Sequence, residues 1–473
     1  MEPKKADTVI VGAGSAGLSA LREVRRYTDD VLLINDGHWG TTCAAVGCMP
    51  SKALIEAAKT FHRRHALDAF GIRGGDGLSA DIPAVLDRVR VMRDGFVEGP
   101  RSTPDKLGER AISGRARLLG PNRLEVNGHE IEARAIILAP GSSPVVPGPW
   151  AQFGDRILTT DSLFEQADLP RRVAVVGMGA IGVEMAQALA RLGLDVAGFD
   201  AAEGLAGIDD PEVLATFRPL IEAEMSLHLG GPAELDTAGD AIRVTGAGGS
   251  FDADIVLAAM GRRPNVAGLG LETLDVPLDD RGMPQVDPAT QRIGDLPVFL
   301  AGDANGYRAL LHEAADEGHI AGRMAAPDAS AQGLCRRTPL SIVFCAPQVA
   351  RVGPPLSDLG AHDIATGRAD FSGQARARMA QTAAGGMRLH ADRQTGRILA
   401  AEMCVPAAEH LAHLLALAVE RGMTVDDMLA MPFYHPVLEE GLRSALRDLA
   451  KQVCGTGGSD LSRCEAIGHD ALD

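Results

Sequence analysis

The chain has 473 residues, 46% of them hydrophobic and 23% charged, which is the composition of an ordinary globular protein and, by length, of about three domains. Its formal charge of −17 disfavours nucleic-acid binding. The sequence contains no apolar run of about 18 residues and no signal-peptide pattern, so we predict no membrane span and no secretion. Seven scattered cysteines do not indicate a secreted disulfide framework, so we expect a cytoplasmic protein without nucleic-acid or membrane partners.

A complete βαβ unit opens the chain. An apolar strand at 8–11 is followed by Gly-Ala-Gly-Ser-Ala-Gly at 12–17, a helical pattern at 18–27 and a second strand at 31–34. G-x-G-x-x-G at the first turn of such a unit lets the backbone approach a pyrophosphate, which the helix N-terminus then binds. Asp36 follows at about the spacing expected for a residue that binds ribose, which strengthens the prediction of a dinucleotide site.

Two cysteines five positions apart come next. Cys43 and Cys48 lie in a Gly-containing segment, 40–52, that continues into a helical pattern at 52–66. In a reducing cytosol a close cysteine pair more often binds metal or does redox chemistry than forms a structural disulfide, and two buried thiols in a turn are the simpler alternative. Pro50 suits the first turn of a helix, which would put Cys48 at a helix N-terminus, where the dipole stabilises a thiolate.

A second βαβ unit repeats the pattern of the first. A strand at 173–176, a glycine loop at 177–182 and a helix at 183–192 lead to a strand that ends at Asp200. This carboxylate is placed to bind the ribose hydroxyls of NAD. No Lys or Arg occurs within 199–209 to hold a 2′-phosphate, so the sequence favours NAD(H) over NADP(H).

The remaining predicted elements connect and follow these units. They are helices at 84–98, 309–325, 409–421 and 425–430, and strands at 116–119, 124–126, 135–138, 255–260, 298–301, 341–344, 349–352, 375–380, 387–391 and 398–403. After residue 339 a run of strands precedes the helices, which indicates a separate α+β domain. Asp303, just beyond a strand and in front of a helix, suits a ribityl or sugar hydroxyl, with a helix cap as the alternative.

Several motifs now combine into one pattern. They are the 12–17 loop, Cys43-x4-Cys48 with Pro50-Ser51-Lys52, the 177–182 loop with Glu184, Gly261-Arg262-Arg263-Pro264-Asn265, Ala301-Gly302-Asp303, and His435-Pro436 with Glu440. This pattern resembles the class I flavoprotein disulfide reductases, most closely the dihydrolipoyl dehydrogenases, over about residues 7–450. The resemblance implies an α/β fold with two Rossmann-like dinucleotide-binding domains, for FAD and NAD, and a C-terminal α+β dimerisation domain.

The resemblance also implies domain boundaries. They are 1–147 for the first part of the FAD-binding domain, 148–265 for the NAD-binding domain, 266–338 for the second, central part of the FAD-binding domain, 339–452 for the dimerisation domain and 453–473 for a flexible tail.

The resemblance assigns catalytic roles in a homodimer whose active site is shared between subunits. Cys43 would be the outer thiol that meets the dithiol substrate, and Cys48 the inner thiol against the flavin. Lys52 and Glu184 would pair near the flavin and the nicotinamide. His435 would enter the active site of the partner subunit.

The chemistry requires residues of these types. A dithiol attacks a disulfide only as a thiolate, so a base with a pKa near neutrality is needed, which points to histidine. Glu440, five residues after His435, can fix the second ring nitrogen of that base.

The implied cofactor contacts are distributed over both nucleotide folds. For FAD they are Gly12, Gly14, Ser15, Ala16, Gly17, Asn35, Asp36, Thr42, Lys52, Ala116, Ala139, Pro140, Gly141, Gly302, Asp303, Ala309, Leu310, Leu311 and His312; for NAD they are Gly177, Gly179, Ala180, Ile181, Gly182, Glu184, Asp200 and Gly261. No metal site is predicted. Thr41, Pro140 and Tyr434 depart from the usual family pattern, which leaves the disulfide substrate open.

Three functions fit these residues. The first is oxidation of a dihydrolipoyl dithiol through the cysteine pair and FAD, with hydride transfer to NAD+. The second is NAD(P)H-dependent reduction of another disulfide, a quinone or a metal ion, although Cys454 and Cys464 are not adjacent like the C-terminal cysteines of mercuric reductases. The third is a docked role in a 2-oxoacid dehydrogenase complex, with the dihydrolipoyl group of an acyltransferase or carrier protein as partner.

Overall fold

The structure is a computed structural model that describes residues 3–327, 333–360, 363–455 and Asp460. The predicted tail, including Cys464, lies largely outside the described residues. Among the described residues, no helix combines the length and the hydropathy that crossing a bilayer requires.

The first part of the chain forms a mainly parallel sheet with helices against it. The strands of this part of the chain are β1 (Lys4–Val11), β2 (Val31–Asn35), β3 (Ala111–Ser113), β4 (Ala116–Gly120), β5 (Arg123–Val126), β6 (His129–Leu138) and, outside the sheet, β7 (Ser142–Pro144). The helices are α1 (Ser15–Val24), α2 (Thr42–Ala45), α3 (Cys48–His62), α4 (Ile82–Arg101) and α5 (Thr103–Leu107). The strand order is β3-β2-β1-β6-β5-β4. Strand β1 runs parallel to both neighbours, with Ile10 opposite Leu33 and Ile137, and all three side chains are fully buried because α1 and the later helix at 311–325 cover this face of the sheet.

The second nucleotide fold follows. Its strands are β8 (Ile157–Leu158), β9 (Arg172–Val176), β10 (Asp195–Asp200), β11 (Ser226–Leu229), β12 (Glu234–Ala238), β13 (Ala241–Gly246), β14 (Gly249–Ala253), β15 (Ile255–Ala258) and β16 (Arg262–Pro264), and its helices are α6 (Thr160–Leu163), α7 (Ala180–Arg191) and α8 (Pro211–Glu222). A parallel sheet has the order β11-β10-β9-β15-β8, and β12, β13 and β14 form an antiparallel sheet. Strands β7 and β16 pair antiparallel where the chain leaves and re-enters the first domain.

The chain then returns to the first domain. Strand β17 (Val298–Leu300) pairs parallel with β6, and helix α9 (Leu311–Ala325) packs on α1, where the Ser19 hydroxyl donates to the Ala315 carbonyl oxygen at 2.6 Å. Short 3-10 helices lie at Arg63–Phe70, Gly75–Gly77, Gly108–Arg110, Gly148–Arg156, Leu271–Leu274, Gly302–Asn305 and Leu356–Leu359. The FAD-binding fold is therefore discontinuous in sequence, as the family resemblance implies.

The C-terminal domain is an antiparallel sheet covered by helices. Its strands are β18 (Leu340–Val343), β19 (Gln348–Val352), β20 (Ile364–Asp370), β21 (Gly386–Asp392) and β22 (Ile398–Val405), and its helices are α10 (Ala375–Met379), α11 (Ala408–Glu420), α12 (Val425–Leu429) and α13 (Glu439–Ala450). The sheet order is β18-β19-β22-β21-β20. The predicted α/β architecture with two Rossmann-like folds and a C-terminal α+β domain is confirmed.

One predicted strand of this domain, 375–380, is wrong. The alternation of Ala and Arg there suggests a strand, but both residues are strong helix formers, and the segment is the helix α10. The Gln374 side chain caps this helix by accepting a hydrogen bond from the Ala377 N–H at 2.7 Å. The fifth strand of the sheet is β20, which the sequence did not indicate, and α13 was likewise not predicted.

Candidate active site

The two cysteines lie at the start of two consecutive helices. Cys43 belongs to α2, which Thr41 caps by accepting a hydrogen bond from the Ala44 N–H at 3.1 Å, and Cys48 is the first residue of α3. The segments approach closely at Gly47, where an added Cβ would lie 3.0 Å from the Thr42 oxygen and 3.2 Å from the Cys43 Cα. The prediction that Cys48 stands at a helix N-terminus is confirmed, and both thiols are free and partly exposed.

The electrostatics of the pair are asymmetric. The pKa of Cys48 falls from 9.0 to about 7, because the Cys43 thiol donates a hydrogen bond to it and because the Lys52 ammonium lies nearby. The same hydrogen bond, together with burial, raises the pKa of Cys43. In the reduced pair the negative charge therefore resides on Cys48, and Cys43 carries the proton.

Replacing Lys52 by methionine is expected to raise the pKa of Cys48 by about one pH unit, because the cation that stabilises the thiolate is lost. The midpoint is read from the pH dependence of Cys48 alkylation by iodoacetamide in the reduced protein. Lys59→Met is the matched control, since Lys59 lies on the same helix and pairs with Glu56 at 3.0 Å. An unchanged midpoint in Lys52→Met would show that Lys52 does not set the charge on Cys48.

Lys52 joins α3 to the second nucleotide fold. Its Nζ lies 2.8 and 3.1 Å from the two carboxylate oxygens of Glu184 on α7, and Glu184 is only 5% exposed. Glu184 Oε1 also accepts a hydrogen bond from the Phe344 N–H at 2.8 Å. A carboxylate so buried requires such partners, and this one connects the cysteine helix, the NAD-binding fold and the C-terminal domain. The predicted Lys52–Glu184 pair is present.

The two glycine loops have the same shape. A Cβ added at Gly17 would lie 1.8 Å from the Gly12 oxygen, and one added at Gly182 would lie 1.7 Å from the Gly177 oxygen, so both helices need glycine to pack against their loops. At the two middle glycines, Gly14 and Gly179, an added Cβ would meet nothing within 4 Å. The middle of each loop is therefore open for a ligand to approach the backbone.

The helices behind these loops begin without a side-chain cap. Gly14 precedes α1, Gly179 precedes α7, and neither helix has a capping hydrogen bond from a side chain. Their first N–H groups are thus available for a pyrophosphate, which fits FAD at the first loop and NAD at the second.

A residue at the end of the second strand closes each loop. Asn35 Oδ1 accepts a hydrogen bond from the Ala13 N–H at 2.9 Å, and Asp200 Oδ2 accepts one from the Met178 N–H at 2.5 Å. The Asn35 amide also donates to the His38 oxygen at 3.0 Å. Both predicted ribose-binding residues therefore position their own loop and retain acceptor lone pairs for a ligand.

A cavity of about 340 Å³ extends from the first glycine loop. It is lined by Val11, Gly12, Asn35, Asp36, Gly114, Arg115, Ala116, Pro140, Arg263, Pro264, Asn265, Ala267 and Leu269. Its place beside Gly12 and Asn35 fits the adenosine end of FAD. Arg115 and Arg263 were not among the predicted contacts, although Arg263 belongs to the recognised Gly-Arg-Arg-Pro-Asn motif and Arg115 follows a strand that pairs with β2.

The loop that carries Asp303 is held from two sides. Asp303 Oδ2 accepts a hydrogen bond from the Ser142 hydroxyl at 2.7 Å, and Arg262 Nε donates a hydrogen bond to the same hydroxyl oxygen, Ser142 Oγ, at 2.8 Å. Behind it, Glu317 Oε2 accepts from the Gly302 N–H and from the Asn305 amide, both at 2.7 Å. Burial raises the pKa of the fully buried Glu317 carboxyl. Ser142 and Glu317 were missed because their partners are distant in sequence.

The other predicted contacts are at strand ends and helix starts. Ser15 and Ala16 open α1, Ala180 and Ile181 open α7, Thr42 opens α2, Ala116 opens β4, Ala139, Pro140 and Gly141 follow β6, Gly261 precedes β16, and Ala309, Leu310, Leu311 and His312 lead into α9. Their contacts with cofactor remain predictions.

His435 and Glu440 form a pair in the C-terminal domain. His435 Nδ1 lies 3.0 and 3.2 Å from the two Glu440 carboxylate oxygens, and the hydrogen bond from His435 lowers the pKa of Glu440. With Nδ1 engaged, Nε2 is the nitrogen that remains to accept a proton. The imidazole is 74% exposed, so most of its surface is open to solvent in a single chain.

Comparison with known proteins defines the class. Residues 6–318 match the pyridine nucleotide-disulphide oxidoreductases, and residues 340–446 match the dimerisation domain of the same proteins. The chain belongs to the pyridine nucleotide-disulphide oxidoreductase family. It is therefore an FAD-dependent oxidoreductase that works with NAD, and it carries the family's dimerisation domain. The predicted family and cofactors are confirmed.

Individual relatives are similar along almost their whole length. The dihydrolipoyl dehydrogenase of Thermus scotoductus is 31% identical over 95% of this chain and 98% of the relative. Those of Halobacterium salinarum and Bacillus subtilis are each 30% identical, over 93% and 92% of this chain and 95% and 97% of the relatives.

Solved structures share the fold. LpdA from Mycobacterium tuberculosis has a TM-score of 0.81 at 25% identity and covers 94% of this chain and 99% of its own. The Cu(II) complex of the HOCl-induced flavoprotein disulfide reductase RclA from Escherichia coli has a TM-score of 0.81 with the same coverage, and at 21% identity it shows the fold alone.

Proposed function

We propose that the protein is an NAD-linked dihydrolipoyl dehydrogenase that oxidises a dihydrolipoyl dithiol to the disulfide. The observation that carries this proposal is the asymmetric Cys43–Cys48 pair, whose inner thiol is held as a thiolate beside the Lys52–Glu184 bridge to the NAD-binding fold. The names of relatives that match this chain over nearly its whole length support the dihydrolipoyl group as the substrate.

The cysteines exchange with the substrate in two steps. A substrate thiolate attacks Sγ of Cys43 in the oxidised pair, the Cys43–Cys48 bond breaks, and Cys48 leaves as a thiolate. Its lowered pKa makes Cys48 the better leaving group of the two. The second substrate thiolate then attacks the substrate sulfur joined to Cys43. This releases the cyclic disulfide, and the cysteine pair has gained two electrons in total.

The protons pass to a base. Two substrate thiols lose protons during the exchange, and Cys43 recovers one of them. We infer that His435 of a second subunit accepts the other proton at Nε2 while Glu440 holds Nδ1. This role requires a homodimer whose active site is shared, which is consistent with the high exposure of His435 in a single chain.

When bound, FAD would supply the chemistry that carries the electron pair from reduced Cys43 and Cys48 to NAD+ as hydride. The chain positions the cofactors: the open glycine loops at Gly14 and Gly179 would hold the pyrophosphates, and the Asp303 loop and the start of α9 would hold the flavin half of FAD.

Two further parts of the proposal concern context. We infer that the enzyme works in the cytoplasm, where its dithiol partners stay reduced. Its partner would be the dihydrolipoyl group of an acyltransferase or carrier protein, as in a 2-oxoacid dehydrogenase complex.

Steady-state kinetics of the FAD-loaded protein test the proposal. Dihydrolipoamide with NAD+ is expected to form NADH with a kcat/KM at least about 100-fold above that of NADH-dependent reduction of glutathione disulfide or Cu2+, because its second thiol resolves the mixed disulfide within one molecule. Faster turnover of glutathione disulfide or Cu2+ would instead make the protein a reductase of that substrate.

A further inference from the structure

A second carboxylate accompanies Asp200 at the edge of the NAD-binding sheet. A Cβ added at Gly230, just after β11, would lie 2.4 Å from Glu203 Oε1, so the Glu203 carboxylate covers this backbone. The Gly230 N–H donates to the carbonyl oxygens of Asp200 at 3.0 Å and Ala202 at 3.2 Å. Since β10 and β11 are parallel neighbours, Asp200 and Glu203 present their charges at the same end of the sheet, where the ribose of a dinucleotide lies.

The fold also brings a cation to this position. Arg218 on α8 lies 3.3 Å from Glu203 Oε2 through Nη1 and 2.9 Å from Glu222 Oε1 through Nε. The sequence window 199–209 contains no Lys or Arg, but Arg218 reaches back to it from the following helix. An arginine in this region is the usual partner of the 2′-phosphate of NADP. Here both sides of the guanidinium are occupied by carboxylates.

We propose that Glu203 is a specificity-determining residue that excludes NADP(H), because it neutralises Arg218 and adds a negative charge beside Asp200. A 2′-phosphate would meet two carboxylates and an Arg218 that is already paired with carboxylates, whereas the hydroxyls of NAD(H) meet acceptors. The inference deepens the proposed function, on which it rests, by naming a residue that restricts the nicotinamide cofactor.

The geometry makes this residue suitable for a test by substitution. The Glu203 side chain is 74% exposed and that of Arg218 37%, and an exposed ion pair of this kind contributes little to stability. Loss of the carboxylate therefore leaves the fold intact, and any change in cofactor affinity reports on the ribose end of the site.

The experiment measures dissociation constants of NAD+ and NADP+ for the oxidised, FAD-loaded protein by isothermal titration calorimetry. Glu203→Gln is expected to improve the affinity for NADP+ relative to NAD+ about tenfold. The double variant Glu203→Gln/Arg218→Ala is expected to lose most of this gain, because only the removal of the negative charge beside Asp200 then still favours a 2′-phosphate. An unchanged affinity ratio in the single variant, or the full gain retained in the double variant, would overturn the proposal.

Glu222→Gln is the matched control. It removes the other carboxylate on Arg218 but leaves Glu203 in place, so the ratio is expected to stay within about twofold of the wild-type value. An equal gain in this control would mean that any lost charge on Arg218 suffices, which contradicts a specific role for Glu203. The titrations involve no dithiol, so their outcome is independent of whether dihydrolipoamide is the substrate.

Discussion

Replacement of Cys43 by serine is expected to lower the rate of NAD+ reduction by dihydrolipoamide at least about 10⁴-fold. The variant keeps a side chain of similar size on α2, so the Thr41 cap and FAD binding remain. What it loses is the sulfur that the substrate thiolate attacks, and no other group in the pair can form the mixed disulfide. The measurement is the steady-state rate of NADH formation, together with the flavin content of the purified variant.

The matched control is Cys335→Ser, which removes an exposed thiol in the segment that connects α9 to the C-terminal domain. Its rate is expected to equal that of the wild-type protein. Turnover of Cys43→Ser within tenfold of the wild-type rate would mean that dithiol oxidation bypasses the cysteine pair.

Substitution of His435 by glutamine is expected to lower kcat by about 10²- to 10⁴-fold, the usual contribution of general acid–base catalysis. Glutamine retains hydrogen-bonding capacity but cannot take up a proton at neutral pH. The loss should shrink as pH rises, because substrate thiols then ionise without a base. The measurement is the pH profile of kcat with dihydrolipoamide and NAD+.

Two further variants locate this effect. Glu440→Gln keeps the contact with His435 but removes the charge that stabilises the protonated ring, so a loss of up to about 10⁴-fold is expected. His410→Gln alters another exposed histidine of the same domain, 76% exposed on α11, and should leave the profile unchanged. A profile of His435→Gln identical to that of the wild-type protein would remove His435 from the proton path.

Local sequence signals predict the two nucleotide folds well. Each glycine loop lies between a strand and a helix within one short segment, so the pattern, the turn and the helix start are all encoded by neighbouring residues. The same holds for Cys48, because Pro50 marks the helix start whose dipole acts on the thiol. The wrong strand in the C-terminal domain also has a local cause, since the alternation of Ala and Arg at 375–379 resembles a strand although both residue types favour the helix that forms.

Contacts between residues that are far apart in the sequence could not be predicted from local sequence patterns. The Lys52–Glu184 bridge joins residues 132 positions apart and was expected only from family resemblance. Neither Arg218 beside Glu203 nor Glu317 behind the Asp303 loop shows any signal in its own neighbourhood, because each is positioned by the packing of a whole helix. The roles of such residues can be assigned only from the tertiary structure, which shows how helices and sheets pack together.

The most direct test of the account is the redox state of Cys43 and Cys48 when the FAD-loaded protein is equilibrated with nicotinamide cofactor. After denaturation and alkylation, mass mapping should find both cysteines alkylated under excess NADH and both protected as a disulfide under excess NAD+. The buried thiols Cys345 and Cys404 should be alkylated in both samples. If Cys43 and Cys48 were alkylated equally under NADH and NAD+, the cysteine pair would not exchange electrons with the nicotinamide, and the central claim would be contradicted.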